Sequence, residues 1–219
     1  MIRTAILIDG GFYRKIAQNR WGKKDPRQRA AELINYCQWH LKSNEGTKFE
    51  TILYRIFYYD CPPISKTIFH PLKGNIDFKK SEEYSWAIDF FSELKKKRKV
   101  ALRLGRLDDQ NAYYTIKQEA LKKLCRKVIT IDDLTENDFV VSLNQKGVDM
   151  KIGLDIASLA HKKQVDQIIL ISGDSDFVPA AKHARREGID FILDPMGQHI
   201  HDDLFEHIDG LKYRPDCKK

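Results

Sequence analysis

Carboxylate side chains stand at three points where the sequence changes from apolar to polar. Asp9 directly follows a short apolar run near the start of the chain. Asp174 and Asp176 follow a second apolar run, and Asp149 opens an amphipathic stretch. Carboxylates brought together without basic partners repel one another, and a hard divalent cation such as Mg²⁺ or Mn²⁺ relieves the repulsion. Such a site can activate water for attack on a phosphodiester.

Each of these acids also has a simpler interpretation. Asp9 suits a turn after a strand, Asp149 suits a helix N-cap, and Asp174 with Asp176 can cap the helix that follows them. The coincidence of three separate acidic positions favours a shared site. Asp155 lies six residues beyond Asp149. Because each helical residue turns about 100°, it points about 120° away, so we expect it behind the centre rather than in it.

Alternating apolar runs and amphipathic stretches predict the elements that position these acids. The expected strands are 3–8, 51–59, 100–104, 167–171 and 189–193, and the expected helices are 27–43, 82–97, 148–161, 175–187 and 199–211. This order indicates an α/β fold with a mainly parallel sheet. Functional groups gather at the carboxyl ends of parallel strands, where Asp9 and Asp174 would lie. Asp60 is interpreted as a turn residue, and an approach to the acidic pocket stays open because it ends a strand expected beside the first.

Finer features of this prediction can be checked against the structure. We expect a tight turn at Gly10 and Gly11, and a broad buried stripe on helix 148–161 that includes Met150 and Leu154. Residues 64–81 suggest a loop or short helical turns. Residues 108–145 suggest an insertion with candidate strands at 111–116 and 128–131 and an alternative helix at 115–125. The economical organisation is one domain over 1–219 that carries this insertion.

Positive charge is concentrated in the first two thirds of the chain. Lys and Arg number 38 against 31 Asp and Glu, for a net charge of +7, and residues 1–139 hold 27 of the basic side chains against 18 acidic ones. Such an excess favours polyanions, although a solvated helix end explains a lysine run equally well. The candidate nucleic-acid contacts are Lys95, Lys96, Lys97, Arg98, Lys99, Arg103, Arg106, Lys146 and Lys151. For Arg103 and Arg106 structural ion pairs stay open, and for Lys146 and Lys151 plain surface positions stay open.

Several classes of protein are disfavoured by the sequence. The four cysteines lie far apart without metal-ligand spacing, which argues against a disulfide framework and a zinc finger. Apolar runs are far shorter than the roughly 18 residues needed to span a bilayer. Neither a dinucleotide-binding nor a P-loop glycine motif is present. We therefore expect a soluble cytoplasmic protein with no membrane partner.

Three blocks of sequence resemble the NYN family, in its LabA-like branch of the PIN-like ribonucleases. They are Ile6-Leu-Ile-Asp9-Gly-Gly, Lys146-Gly-Val-Asp149-Met-Lys-Ile-Gly-Leu-Asp155 and Leu170-Ile-Ser-Gly-Asp174-Ser-Asp176-Phe-Val-Pro179. The last two blocks are the most specific. Similarity extends through Arg185-Arg-Glu-Gly188 and includes Leu104-Gly105-Arg106-Leu107, whereas 108–145 matches poorly.

The resemblance implies a three-layer α/β/α sandwich and Mg²⁺- or Mn²⁺-dependent cleavage of RNA. By position, the catalytic and metal-binding residues would be Asp9, Asp149, Asp174 and Asp176, with Asp155 matching a recurring family acid. Ser172 and Gly173 would shape the loop that carries Asp174. One position departs from the family, because Phe12 stands where members commonly carry Asn.

The leading hypothesis is therefore a metal-dependent endoribonuclease that uses a metal-activated water. A non-catalytic RNA-binding or regulatory module is the alternative, favoured by Phe12. A phosphatase of the haloacid dehalogenase type comes third, because that chemistry needs a second acid two residues after the nucleophilic Asp, where Gly11 stands. RNA is the expected partner, and a homodimer stays open.

Overall fold

A six-stranded parallel sheet forms the centre of the molecule, in the order β10-β9-β8-β1-β2-β5. The computed structural model describes residues 1–42 and 50–217. Within these residues the strands are β1 (Ile2–Asp9), β2 (Thr51–Asp60), β3 (Thr67–His70), β4 (Gly74–Asp77), β5 (Val100–Leu104), β6 (Arg106–Ile116), β7 (Phe139–Lys146), β8 (Gln167–Ile171), β9 (Asp190–Asp194) and β10 (Gly210–Leu211).

Helices cover both faces of this sheet. They are α1 (Gly10–Trp21), α2 (Pro26–His40), α3 (Glu82–Lys95), α4 (Gln118–Cys125), α5 (Val148–His161), α6 (Val178–Arg186) and α7 (Asp202–Phe205). Side chains of alternate residues in β1 enter two separate cores, because successive strand residues point to opposite faces. Leu7 packs in the core beneath α5 and α6, and Ile8 packs in the core beneath α1, α2 and α3. The fold is the predicted three-layer α/β/α sandwich.

The first helix begins immediately after the first strand, where the sequence suggested a tight turn. Asp9 acts as the N-cap of α1, and its carboxylate accepts a hydrogen bond from the Phe12 amide. Gly10 is needed for packing, since an added Cβ would lie 2.5 Å from the Tyr59 carbonyl oxygen. The expected turn was therefore wrong, and the cap that replaces it fixes the Asp9 side chain.

Two antiparallel hairpins lie outside the central sheet. Strands β3 and β4 pair within residues 64–81, which were expected to be loop or helical turns. Strands β6 and β7 pair across the insertion, and α4 lies between them. The His70 ring joins the hairpins, at 4.5 Å from the ring centre of Tyr114. The predicted strand at 111–116 is confirmed within β6, whereas residues 128–131 form no strand.

The remaining helices differ from expectation mainly at their ends. Helix α2 stops at His40, and the predicted last residue, Ser43, lies outside the described residues. The expected helix 199–211 is wrong, because this stretch contains only α7 and β10. The stripe on α5 is narrower than expected, since Met150 is 71% exposed and Leu154 is 62% exposed. No helix among the described residues is long and apolar enough to cross a membrane.

Candidate active site

The carboxyl edge of the parallel sheet collects the acids that the sequence singled out. Asp9 is the last residue of β1, and Asp174 follows β8 after only two residues. Strands β1 and β8 are parallel neighbours, with Ile8 opposite Ile171. Asp149 is the second residue of α5, which packs against β1 and β2. The topology thus brings residues that are distant in sequence to one edge.

Asp9 is held by neighbours on both sides. Its Oδ1 accepts a hydrogen bond from the Phe12 amide at 3.1 Å, and its Oδ2 accepts one from the Ser172 hydroxyl at 3.4 Å. Burial raises the pKa of Asp9, and the nearby carboxylates of Asp149 and Asp60 raise it further against the opposing effect of the Phe12 amide. The raised pKa is the signature of negative charges crowded in a low-dielectric place.

Asp149 lies near a further pair of carboxylates, those of Asp174 and Asp176 in the loop after β8. The backbone turns from β7 into α5 at Gly147, whose φ of 82° is in the left-handed region that favours glycine. Burial raises the pKa of Asp149, and the carboxylates of Asp174 and Asp176 raise it further. Asp149 is therefore the electrostatic link between Asp9 and the loop after β8.

The loop after β8 is shaped by its own side chains. The buried Ser172 hydroxyl accepts from the Asp174 amide at 3.3 Å, and Asp174 Oδ1 accepts from the Asp176 amide at 3.0 Å. Gly173 leaves room for the Phe12 ring, since an added Cβ would lie 3.0 Å from it. Asp174 does cap the following turn, so the capping interpretation holds for it. A cap occupies one carboxylate oxygen and leaves the other for a ligand.

A fifth acid at this edge is Asp60, for which the sequence favoured a turn and left an approach to the pocket open. It ends β2, and its carboxylate, 1% exposed, pairs with the Arg14 guanidinium at 2.9 Å. The Tyr58 hydroxyl donates to it at 3.1 Å, and the Cys61 amide donates at 2.8 Å. Burial still raises the pKa of Asp60, with Arg14 opposing the shift. Its place at a strand end was the available signal, whereas nothing in the sequence indicated Arg14 as its partner.

Asp155 is paired by residues from the sheet. Its Oδ2 accepts from the Tyr59 hydroxyl at 2.8 Å and from Arg103 Nε at 3.0 Å. The Arg103 guanidinium also lies 5.4 Å from the ring centre of Phe57. The structural ion pair that the sequence left open for Arg103 is thus present. Asp155 stands one helix face away from Asp149, as its spacing predicted.

The predicted basic residues fall into two groups. The run Lys95 to Lys99 ends at the amino end of β5, and the Lys99 carbonyl accepts from the Ile56 amide. Five residues of strand separate this run from the carboxyl edge, about 17 Å at 3.3 Å per residue. The structure places the run on the side of the sheet away from the acids.

Three other predicted cations lie near the start of α5. Arg106 and Lys146 are paired positions of β6 and β7, directly before Gly147. Lys146 forms an ion pair with Asp108 at 2.6 Å, while Lys151 is exposed on the first turn of α5. These side chains, unlike the lysine run, belong to the edge that carries the acids.

The donor chemistry of this edge suits a hard cation, because every candidate ligand is a carboxylate oxygen. Within residues 1–42 and 50–217, none of Asp9, Asp149, Asp174 and Asp176 forms an ion pair. In the same part of the chain, no three His, Cys, Asp or Glu side chains are gathered closely enough to enclose a metal ion. The charges therefore fit a divalent cation, whereas the described side chains are too far apart to coordinate one together.

Comparisons with known proteins bear on the family rather than on these residues. The model of the NYN domain matches residues 68–202, which include Asp149, Asp155, Asp174 and Asp176 but not Asp9. A crystal structure of a protein of unknown function from Vibrio parahaemolyticus is similar with a TM-score of 0.49 and 15% identity, covering 98% of this chain and 94% of that one. No curated protein matches the chain significantly. Because the domain match spans well over half of its residues, the chain belongs to the NYN domain family.

Proposed function

We propose that the protein is a divalent-metal-dependent endoribonuclease of the PIN-like type, in the LabA-like branch of the NYN family. The observation that carries this proposal is the group of acids at the carboxyl edge, where Asp9 ends β1, Asp174 and Asp176 follow the neighbouring β8, and Asp149 lies in the first turn of α5. Unpaired carboxylates in one place are costly unless a ligand compensates them. RNA binding is the part of this proposal that family membership supports most broadly.

The four carboxylates would hold Mg²⁺ or Mn²⁺, which lowers the pKa of water and stabilises negative charge at the scissile phosphate. Neighbouring residues of the chain fix the positions of these carboxylates. The Phe12 amide and the Ser172 hydroxyl fix the two oxygens of Asp9. Ser172 and Gly173 orient the loop so that Asp174 projects from the edge of the sheet.

Cations beside the acids would bind the phosphate chain. Arg106, Lys146 and Lys151 surround the start of α5 and are the proposed contacts for the scissile phosphate. The earlier candidates Lys95 to Lys99 would act only by long-range attraction, because they lie at the opposite edge. Asp155 would keep a supporting role through Tyr59 rather than contact the cation.

A non-catalytic RNA-binding module is the second candidate. Two observations favour it: no described group of three ligands is arranged around a common point, and Phe12 replaces the family's common Asn. The Phe12 ring fills the space against Gly173, so no polar side chain is available there. Binding of RNA that depends steeply on salt, without cleavage in any divalent metal, would select this candidate.

The deciding experiment compares cleavage of several RNAs by the wild type and by Asp9→Asn and Asp174→Asn, with excess Mn²⁺ and with EDTA. Both variants should lose cleavage while keeping the wild-type circular dichroism spectrum. Asp166→Asn is the matched control, because it removes one carboxylate from an ion pair with Arg3 beside the amino end of β8. Full activity in both site variants rejects the assignment.

Organisation and location complete the proposal. We infer a single NYN domain over residues 1–219 that carries the β6–β7 hairpin as an insertion, acting in the cytoplasm. A homodimer is compatible with this arrangement, and sedimentation at several concentrations would reveal it.

A further inference from the structure

The carboxyl edge continues into a basic cavity that the acidic site does not use. This cavity, of about 500 Å³, lies between α1, the α1–α2 loop and the first turns of α3. Gly11 and Arg14 line its inner end. A Cβ added to Gly11 would lie 3.5 Å from Asp9 Oδ1. The cavity therefore opens beside Asp9.

One wall of the cavity carries positive charge without partners. Lys15 and Lys23 are exposed and form no ion pair with any residue in 1–42 or 50–217. Lys24, by contrast, is paired with Glu32. The cavity lining holds five basic side chains against two acidic ones, so the local field is positive. Two free ammonium groups in such a field suit successive phosphates of a nucleic-acid strand.

A fixed aromatic ring also lines the cavity, next to the Lys23–Lys24 segment. Trp86 lies on the inner side of α3, and one face of its indole stacks on Phe90 with ring centres 5.0 Å apart and planes 17° apart. Its indole N–H donates to the Lys24 carbonyl at 2.9 Å, which holds the ring in place. The partly exposed remainder of the ring lines the cavity. A ring held this way can stack an unpaired base at little entropic cost.

Two carboxylates also line the cavity. They are those of Glu82 and Glu83, in the first turn of α3. They would repel phosphates, so the backbone of a bound strand belongs on the side of Lys15 and Lys23. Carboxylates accept hydrogen bonds from base amino groups and ribose hydroxyls. The lining thus offers ammonium groups for phosphates, and an indole ring and two carboxylates for a base and its ribose.

We propose that this cavity binds single-stranded RNA adjacent to the cleavage site, with phosphates on Lys15 and Lys23 and one unpaired base on Trp86. The proposal rests on the ribonuclease function and deepens it, because it names the form of RNA and the path it follows from Asp9. A duplex would be excluded, since a paired base cannot reach the indole. The lysine run at 95–99 has no role in this path.

The test measures binding by fluorescence anisotropy in EDTA, with a labelled single strand of about 12 nucleotides and the same strand in duplex. The double variant Lys15→Gln/Lys23→Gln should bind the single strand about tenfold more weakly, and its salt slope should fall by about 1.4 for two lost phosphate contacts. Lys95→Gln/Arg98→Gln removes the same charge at the other edge and should bind within about twofold of wild type. Equal losses in both variants, or no loss in the first, overturn the proposal.

A third variant, Trp86→Leu, isolates the base contact. Its affinity for the single strand should fall about tenfold with an unchanged salt slope, since stacking releases no counterions. Unchanged affinity overturns the stacking assignment, and a thermal melt verifies the fold of this variant. Binding in EDTA is independent of cleavage. An enzyme that cleaves RNA but ignores the cavity variants refutes this inference alone, whereas cavity-dependent binding without any cleavage refutes the nuclease alone.

Discussion

Acids at the carboxyl edge of the sheet are of two kinds, and the contrast between them separates stability from chemistry. Asp60 and Asp155 each have an arginine partner and a tyrosine hydroxyl. Asp149, by contrast, forms no ion pair with any residue in 1–42 or 50–217, and the carboxylates of Asp174 and Asp176 raise its pKa. Helical spacing separates Asp155 from Asp149, but sequence position does not separate Asp60 from Asp9, because each of them ends a strand.

The contrast shows where the fold leaves an electrostatic cost uncompensated. Burial raises the pKa of both Asp60 and Asp149, but Arg14 opposes the rise at Asp60, whereas the carboxylates of Asp174 and Asp176 add to the rise at Asp149. A paired acid supports the structure, whereas an unpaired one is retained at a cost to stability. Such a cost is expected of a binding site and is recovered when the ligand is present.

The largest effect is expected on RNA cleavage, when the unpaired and the paired acid of α5 are replaced one at a time. Asp149→Asn should reduce RNA cleavage in Mn²⁺ at least about 100-fold, because it removes an unpaired ligand. Asp155→Asn, on the same helix, should reduce it less than about tenfold, because that carboxylate is already engaged by Arg103. Single-turnover rates for both variants provide the measurement. Similar losses of cleavage rate in the two variants would contradict the distinction between paired and unpaired acids.

Removing the partner of a paired acid should mainly reduce stability. Arg14→Met leaves the buried Asp60 carboxylate uncompensated and should cost about 2–3 kcal/mol, less than a fully buried pair because Arg14 is a third exposed. The pKa of Asp60 is raised in the folded state, so the loss should shrink as pH falls through that raised pKa.

Urea denaturation at pH 7.5 and pH 5 measures this effect. The double variant Arg14→Met/Asp60→Asn is the control, and it should recover most of the lost stability because no unpaired charge remains. A double variant as unstable as Arg14→Met would show that lost packing, and not charge, dominates.

A smaller effect is expected at the exposed pair on the other side of the sheet. Arg103→Gln should cost less than about 1 kcal/mol, since Arg103 is nearly half exposed and solvent screens the interaction. The Tyr59 hydroxyl continues to donate to Asp155 in this variant. Urea denaturation at low and high salt should show the cost disappearing at high salt. A salt-independent loss would point to the contact with Phe57 instead.

The smallest effect has the opposite sign. Without metal, Asp149→Asn should raise the melting temperature by up to about 3 °C, corresponding to less than about 1 kcal/mol. The pKa of Asp149 is raised in the folded state, so its favourable contribution is present at low pH and lost as pH rises through that value. The gain should therefore be seen at pH 7.5 and vanish near pH 3. Destabilisation in EDTA at pH 7.5 would contradict the uncompensated charge.

Strands β1, β2, β5, β8 and β9 were predictable because their apolar runs are local and continuous, whereas β10 lies in a stretch that suggested a helix. A continuous apolar run such as 167–171 predicts a buried strand from local sequence alone. The positions of Asp9 and Asp174 at the edge of the sheet could then be predicted, because both follow such runs. Helix α1 was not predictable in the same way. Two glycines after an acid suggest a turn, and only packing against Tyr59 shows why glycine stands at the start of a helix.

Features that depend on contacts between residues distant in sequence could not be predicted. Arg14 and Asp60 are 46 positions apart, so no local pattern indicates that they pair. The apolar residues of α5 surround more of the helix than the sheet covers, and spacing alone could not tell that Met150 and Leu154 face outward. The lysine run was conspicuous as composition, but only the direction of β5 shows that it lies away from the acids.

The central claim is that carboxylates from β1, α5 and the loop after β8 share one divalent cation. Crystals soaked in Mn²⁺ test it directly through an anomalous difference map. We predict a peak about 2.1 Å from oxygens of at least three of the four residues Asp9, Asp149, Asp174 and Asp176. A map with no peak at this edge, or with peaks only elsewhere on the molecule, would contradict the account.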